Sequence, residues 1–223
     1  AGVVTATLAA DDTSDLLNLT TSGTDVITVS VNDTPSIANL NTIAGKTAGV
    51  VTATIAADSL SNLGSLTTSS TDAITVSVND AASATRAATD LSTLGGKTAG
   101  TVTVSNAINI TGDTAGATAA LVTAGTRVVA SSATVGISGN PSITALNNIA
   151  SVAGVVTATL AAADTSDLLN LTTTSTDVIT LSVDDTPSIS NLNTIAGKTA
   201  GVVTATIAAA DTTDLLNLTT SAT

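Results

Sequence analysis

The string Ala-Gly-Val-Val-Thr-Ala-Thr begins at Ala1, Ala48, Ala153 and Ala200, and the near-identical blocks 1–47 and 153–199 are each 47 residues long. Repetition at a fixed period restricts the fold more than any other feature. A unit this short cannot bury its apolar face alone, so neighbouring units must stack to make a core. Each block divides again into similar halves, 2–24 and 25–48. Extended along all 223 residues, the division gives nine segments starting at Gly2, Asp25, Gly49, Asp72, Gly100, Arg127, Gly154, Asp177 and Gly201. Their lengths are 23, 24, 23, 28, 27, 27, 23, 24 and 23 residues.

Within a segment two periods follow one another. Val4, Ala6 and Leu8 alternate with Thr5 and Thr7, and Ile27, Val29 and Val31 with Thr28 and Ser30, which reads as a strand with one buried face. Asp12, or Asp33-Thr34 with Pro35 placed for the first helical position, then signals a helix start. Apolar residues recur every three positions at Ile37, Leu40 and Ile43 and at Leu60, Leu63 and Leu66, and Gly45 supplies a stop. The stretch Ala81 to Leu94 is longer and Ala-rich and predicts a fuller helix.

The fold class expected is a repeat solenoid of nine stacked coils, each with one parallel β-strand plus a short helix. At about 4.8 Å per stacked strand this would make a rod roughly 43 Å long. An all-β solenoid with LLNLTT as a second strand is the alternative. The chain reads as one array over 1–223, regular over 1–80 and 153–223 and irregular over 81–152. Both ends carry ordinary repeat sequence, so the chain reads as a fragment of a longer array, with self-association through solenoid ends or edges as the expected partnership.

Composition narrows function. There is no Cys, His, Met or aromatic residue, so thiolate and imidazole chemistry and ordinary zinc or copper sites are absent. The 17 acidic residues are all Asp and face five cations, Lys46, Arg86, Lys97, Arg127 and Lys198, for a net charge of -12. So few cations and no aromatic rings disfavour nucleic acid and anionic membranes. Thr, Ser or Asp interrupts every apolar run, so no membrane insertion is expected.

The strongest pattern outside the core is a strand face of paired hydroxyls: Thr5/Thr7, Thr28/Ser30, Thr52/Thr54, Thr75/Ser77, Thr103/Ser105, Thr157/Thr159, Thr180/Ser182 and Thr204/Thr206, broken by Ala130/Ser132 in the sixth segment. Stacked in register, these would form two parallel rows about 4.8 Å apart from coil to coil. Such an array resembles the ice-contacting face of solenoid antifreeze proteins. Thr is also simply the best polar strand former, and this plainer reading is preferred.

Asp11, Asp12, Asp33, Asp58, Asp80, Asp164, Asp184, Asp185 and Asp211 form a second column at the strand-to-helix junctions. Oxygen-only ligands suit Ca²⁺, which makes Asp12, Asp33, Asp58, Asp80, Asp185 and Asp211 candidate calcium ligands. Helix N-capping accounts for the same residues with less machinery, and no cofactor is expected. Gly-Lys-Thr at 45–47, 96–98 and 197–199 ends like a phosphate-binding loop, but the glycine that loop requires is replaced by Leu40, Leu91 and Leu192. A helix stop followed by a solvated lysine explains the triplet. Asp pairs recur with the repeat instead of marking one place, so enzyme activity and catalytic residues are not expected.

Phrases such as SIANLNTIAGKTAGVVTATI and STDAITVSVND resemble the Thr/Ala/Asp-rich tandem repeats of giant secreted surface proteins of marine bacteria, cyanobacteria especially. The resemblance covers nearly the whole chain. It implies an extracellular or cell-surface setting, a role as stalk, surface layer, filament or adhesin spacer, and no catalytic residues.

Overall fold

The computed structural model describes residues 2–123, 125 and 128–219. The sixth segment's expected first residue, Arg127, lies outside the described residues. Twelve strands form two all-parallel six-stranded sheets, and nine helices intervene among the described residues. The first sheet has the order β1 (Thr5–Thr7), β2 (Val26–Ser30), β3 (Val51–Thr54), β4 (Ala73–Val78), β6 (Val102–Val104), β8 (Val128–Val129). The second runs from β5 (Thr85–Ala87) through β7 (Asn109–Asp113), β9 (Thr134–Ser138), β10 (Val155–Thr159) and β11 (Val178–Ser182) to β12 (Val203–Thr204). The helices are α1 (Thr13–Leu16), α2 (Ile37–Ala44), α3 (Leu60–Leu63), α4 (Ala88–Gly95), α5 (Thr114–Leu121), α6 (Ile143–Ala150), α7 (Thr165–Leu168), α8 (Ile189–Ala196) and α9 (Thr212–Leu215).

The two sheets explain the longer middle segments. Segments one to three place their single strand in the first sheet, and segments seven to nine in the second. The three segments between carry a strand in each, which accounts for their four or five extra residues. The Ala-rich stretch from Ala81 is therefore not one helix. Thr85–Ala87 pairs with Asn109–Thr111, and the helix begins only at Ala88. Pairing with the following strand outweighs alanine's helix propensity there, and Ser83, at φ 64, turns the chain into the new strand.

Alternation places the core as the pattern predicts. Ile27 and Val29 are buried beneath β2, Val51 and Ala53 beneath β3, and Ile179 and Leu181 beneath β11, with Leu40, Ile43, Leu63, Leu91, Leu146 and Ile195 meeting them from the helices. Outside the longer middle segments, those beginning with Gly make the four-residue helices α1, α3, α7 and α9, whereas α2 and α8 have eight residues. Ser36 caps α2 by accepting from the Asn39 N–H, so Pro35 precedes the cap instead of occupying the first helical position. Gly45 does close α2, in an ordinary right-handed conformation. LLNLTT is not a strand: α1 ends at Leu16 and the chain then turns.

Between Thr7↔Thr28 and the bridge Asp11↔Val31, the first segment uses one residue more than the second. The same extra residue recurs before Asp58↔Val78 and Ala163↔Val183. This one-residue bulge interrupts the pairing, which resumes at the bridge just before the chain turns into the helix.

Candidate functional site

The sixteen strand-face hydroxyls divide between the two sheets, with the pairs from Thr5/Thr7 to Thr103/Ser105 on or beside the first and those from Thr157/Thr159 to Thr204/Thr206 on or beside the second. Thr28, Ser30, Ser77 and Ser182 are half-buried and the others exposed. Two of the expected strand residues are not on a strand. Ser105 stands just past β6, which ends at Val104, and Thr206 lies two residues beyond β12, which ends at Thr204. The Ser105 N–H still donates to the Val78 carbonyl at 2.9 Å, but its hydroxyl is 2.8 Å from that of Ser77. Ser105 is thus spent on a neighbouring hydroxyl and does not extend a regular outer row, because pairing with β4 ends one residue earlier, at Val78↔Val104.

The register of the rest also differs from two continuous rows. Thr5 lies beside Val26 and Thr7 beside Thr28; the next matches are Ser30↔Thr52, Thr54↔Thr75 and Ser77↔Thr103. The second sheet repeats the offset with Thr159↔Thr180 and Ser182↔Thr204. Each pair is displaced by two residues from its neighbour, so the hydroxyls climb as a staircase. Gly136, between Thr111 and Thr157, interrupts the second face and floors a depression of about 610 Å³.

The junction Asp residues separate into distinct roles. The Thr13 N–H and hydroxyl both donate to Asp33, and Thr165 does the same to Asp185, while the Leu60 N–H donates to Asp80 at 3.0 Å. Each of these carboxylates holds the helix start of the preceding segment, not its own. The hydrogen bond from the Thr13 hydroxyl keeps Asp33 below the usual carboxylate range, and that from Thr165 does so for Asp185. Asp211 caps its own helix through the Asp214 N–H, whereas Asp12 and Asp164 make no side-chain cap. Asp58 accepts from the Ser59 N–H and the Asn62 amide. Among the described residues no three acidic side chains gather where a metal ion could be held.

A third set of carboxylates, to which the sequence reading gave no role beyond marking segment starts, also bonds across segments. Asp25, Asp72 and Asp177 each accept at 2.8 Å from the strand of the preceding segment, through the N–H of Val4, Val51 and Val156. Each also accepts from a residue three positions earlier, Ser22, Ser69 or Thr174. The Ser22 N–H, followed by that of Val4, holds the Asp25 carboxyl low. The recurring Ser/Thr-x-x-Asp spacing was the available signal.

Gly-Lys-Thr ties adjacent segments together. Lys46 and Lys198 are half-buried, not solvated, and donate to the Leu19 and Leu171 carbonyls of the preceding segment; Lys97 reaches those of Gly64 and Leu66. The buried Thr47 hydroxyl accepts from the Ile27 and Gly49 N–H groups, each at 2.8 Å, and lies 2.7 Å from the Ile27 carbonyl. Thr98 and Thr199 repeat this. In the other direction, Asn41, Asn147 and Asn193 each clasp the backbone of the following segment with both amide atoms.

One feature is not repeated among the described residues. Arg86 occupies the inward position of edge strand β5, in line with buried Ile110, Val135 and Val156. It pairs with the buried Asp80, which its hydrogen bond holds low, and it flanks a depression of about 480 Å³ lined also by Leu60, Gly64 and Asp90. An inward charge at the first strand blunts a sheet edge. No helix among the described residues is long and apolar enough to cross a membrane. No family model, curated protein or solved structure matches the chain.

Proposed function

We propose that the chain is a repeat solenoid of nine stacked coils that serves as a structural extracellular module: a stalk, surface-layer, filament or adhesin spacer. One observation carries this reading. The polar side chains that recur with the repeat, Asp25, Asp33, Asn41, Lys46 and their counterparts, are bonded to the backbone of adjacent segments. Their chemistry is committed to holding one repeat on the next. The resemblance to secreted surface proteins of marine bacteria supports the setting, and the net charge of -12 suits a soluble rod. Self-association would proceed through coil ends or exposed strand edges. Electron microscopy at rising concentration tests this; single particles in every buffer would count against assembly. Repeating it with Ca²⁺ and then with chelator tests calcium dependence at the Asp column.

An ice-contacting face is the second reading, favoured by the exposure of Thr52, Thr54, Thr157 and Thr159. The staircase register, the division between two sheets and the hydroxyl-to-hydroxyl contact of Ser105 with Ser77 weigh against it, since a flat lattice needs aligned, unengaged rows. Thermal hysteresis that falls in Thr54→Tyr and Thr206→Tyr would support ice binding; its absence from the parent would dismiss it.

A further inference from the structure

The ninth segment leaves open the surface that the first, third and seventh bury beneath their successors. Leu16, Leu63 and Leu168 are at most 2% exposed, whereas Leu215, at the same repeat position, is 40% exposed and Leu216 79%. The polar groups correspond as well. At Val4, Val51 and Val156 a carboxylate of the next segment receives the strand N–H; at Thr13, Leu60 and Thr165 a second receives the helix N–H. No carboxylate among the described residues reaches the equivalent N–H groups of Val203 and Thr212.

Those two carboxylates always come from one kind of successor, eight residues apart: Asp25 with Asp33, Asp72 with Asp80, Asp177 with Asp185. The same segments carry the lysine that reaches back. Segments beginning with Gly lack these groups. Gly2 stands where Asp25 does, and Asn18 bonds within its own helix turn.

We infer that the exposed face of the ninth coil is a docking surface for one coil of the Asp-Val-Ile-Thr type, recognised by its paired carboxylates, and that this face rejects a coil of the Gly-Val-Val-Thr type. The inference rests on the stacked-coil reading above.

The test extends the full chain in three ways: with a copy of residues 177–200, with that copy carrying Asp177→Ala and Asp185→Ala, and with a copy of residues 154–176. Amide hydrogen exchange is followed at Val203 and Thr212. The first extension is expected to slow exchange there at least roughly tenfold and to raise the thermal midpoint, while the other two leave both near the parent's values. Equal protection by all three, or none by the first, overturns the inference. The Val51 and Val156 amides separate the two levels of failure. If they exchange freely in the parent, the stacked-coil reading itself fails; if they are protected, only the docking rule is at stake.

Discussion

Thr98 is 1% exposed, and its hydroxyl accepts from the N–H groups of Ile74 and Gly100 at 2.8 and 2.7 Å while lying 2.7 Å from the Ile74 carbonyl. Thr98→Val keeps the shape and strands these groups without a partner. A loss of about 1–3 kcal/mol is expected, read as a fall in the denaturant midpoint at unchanged slope. Gly100 follows for a different reason. A Cβ there would stand 2.2 Å from the Ile74 carbonyl oxygen, which belongs to backbone and cannot swing aside. Gly100→Ala should therefore destabilise by more than about 2 kcal/mol, whereas Gly45→Ala, whose nearest neighbour is at 3.4 Å, should be close to neutral. Both glycines look alike in the sequence. What separates them is the approach of a backbone 26 residues upstream at one and not at the other.

The junction between segments is the next scale, and its bonds are largely carboxylate to backbone. Asp25, Asp33, Asp80 and Asp185 all titrate below their ordinary value in the folded chain. A depressed carboxyl contributes stability that is fully present above the unfolded value, near 4, and lost as pH falls through the lower folded value. Acid titration by circular dichroism should show structure holding at neutral pH and failing below about pH 4. Asp80→Ala should remove part of that dependence and also leave the Arg86 charge unpaired, costing about 2–3 kcal/mol. Strand positions and the short helices were legible here, because period two and period three are local signals. Where a strand stops was less so: Ser105 continues the alternation of Val102, Thr103 and Val104 yet falls outside β6, since β4 ends at Val78, the partner of Val104. The second strand of the fourth segment was not legible at all. Thr85, Arg86 and Ala87 carry no alternation of their own and become a strand only by pairing with Asn109, Ile110 and Thr111.

Across the whole molecule, burial depends on having neighbours on both sides. Leu91, in the middle, is fully buried, and Leu215, in the last helix, is 40% exposed. Leu91→Ala should cost about 2–5 kcal/mol and Leu215→Ala under about 1 kcal/mol, with thermal midpoints separating the two. What the sequence by itself determined is the repeat, the alternation that sorts Val, Ile and Ala inward from Thr and Ser outward, and the exclusion of chemistries whose residues are missing. These depend on composition and on near neighbours along the chain. Only the tertiary structure decided which sheet a segment joins: the near-identical blocks 1–47 and 153–199 lie in different sheets. It also decided that the hydroxyls climb as a staircase and that Asp33 serves the helix of another segment. Those outcomes depend on register and pairing between residues some twenty or more apart, which a local pattern does not encode.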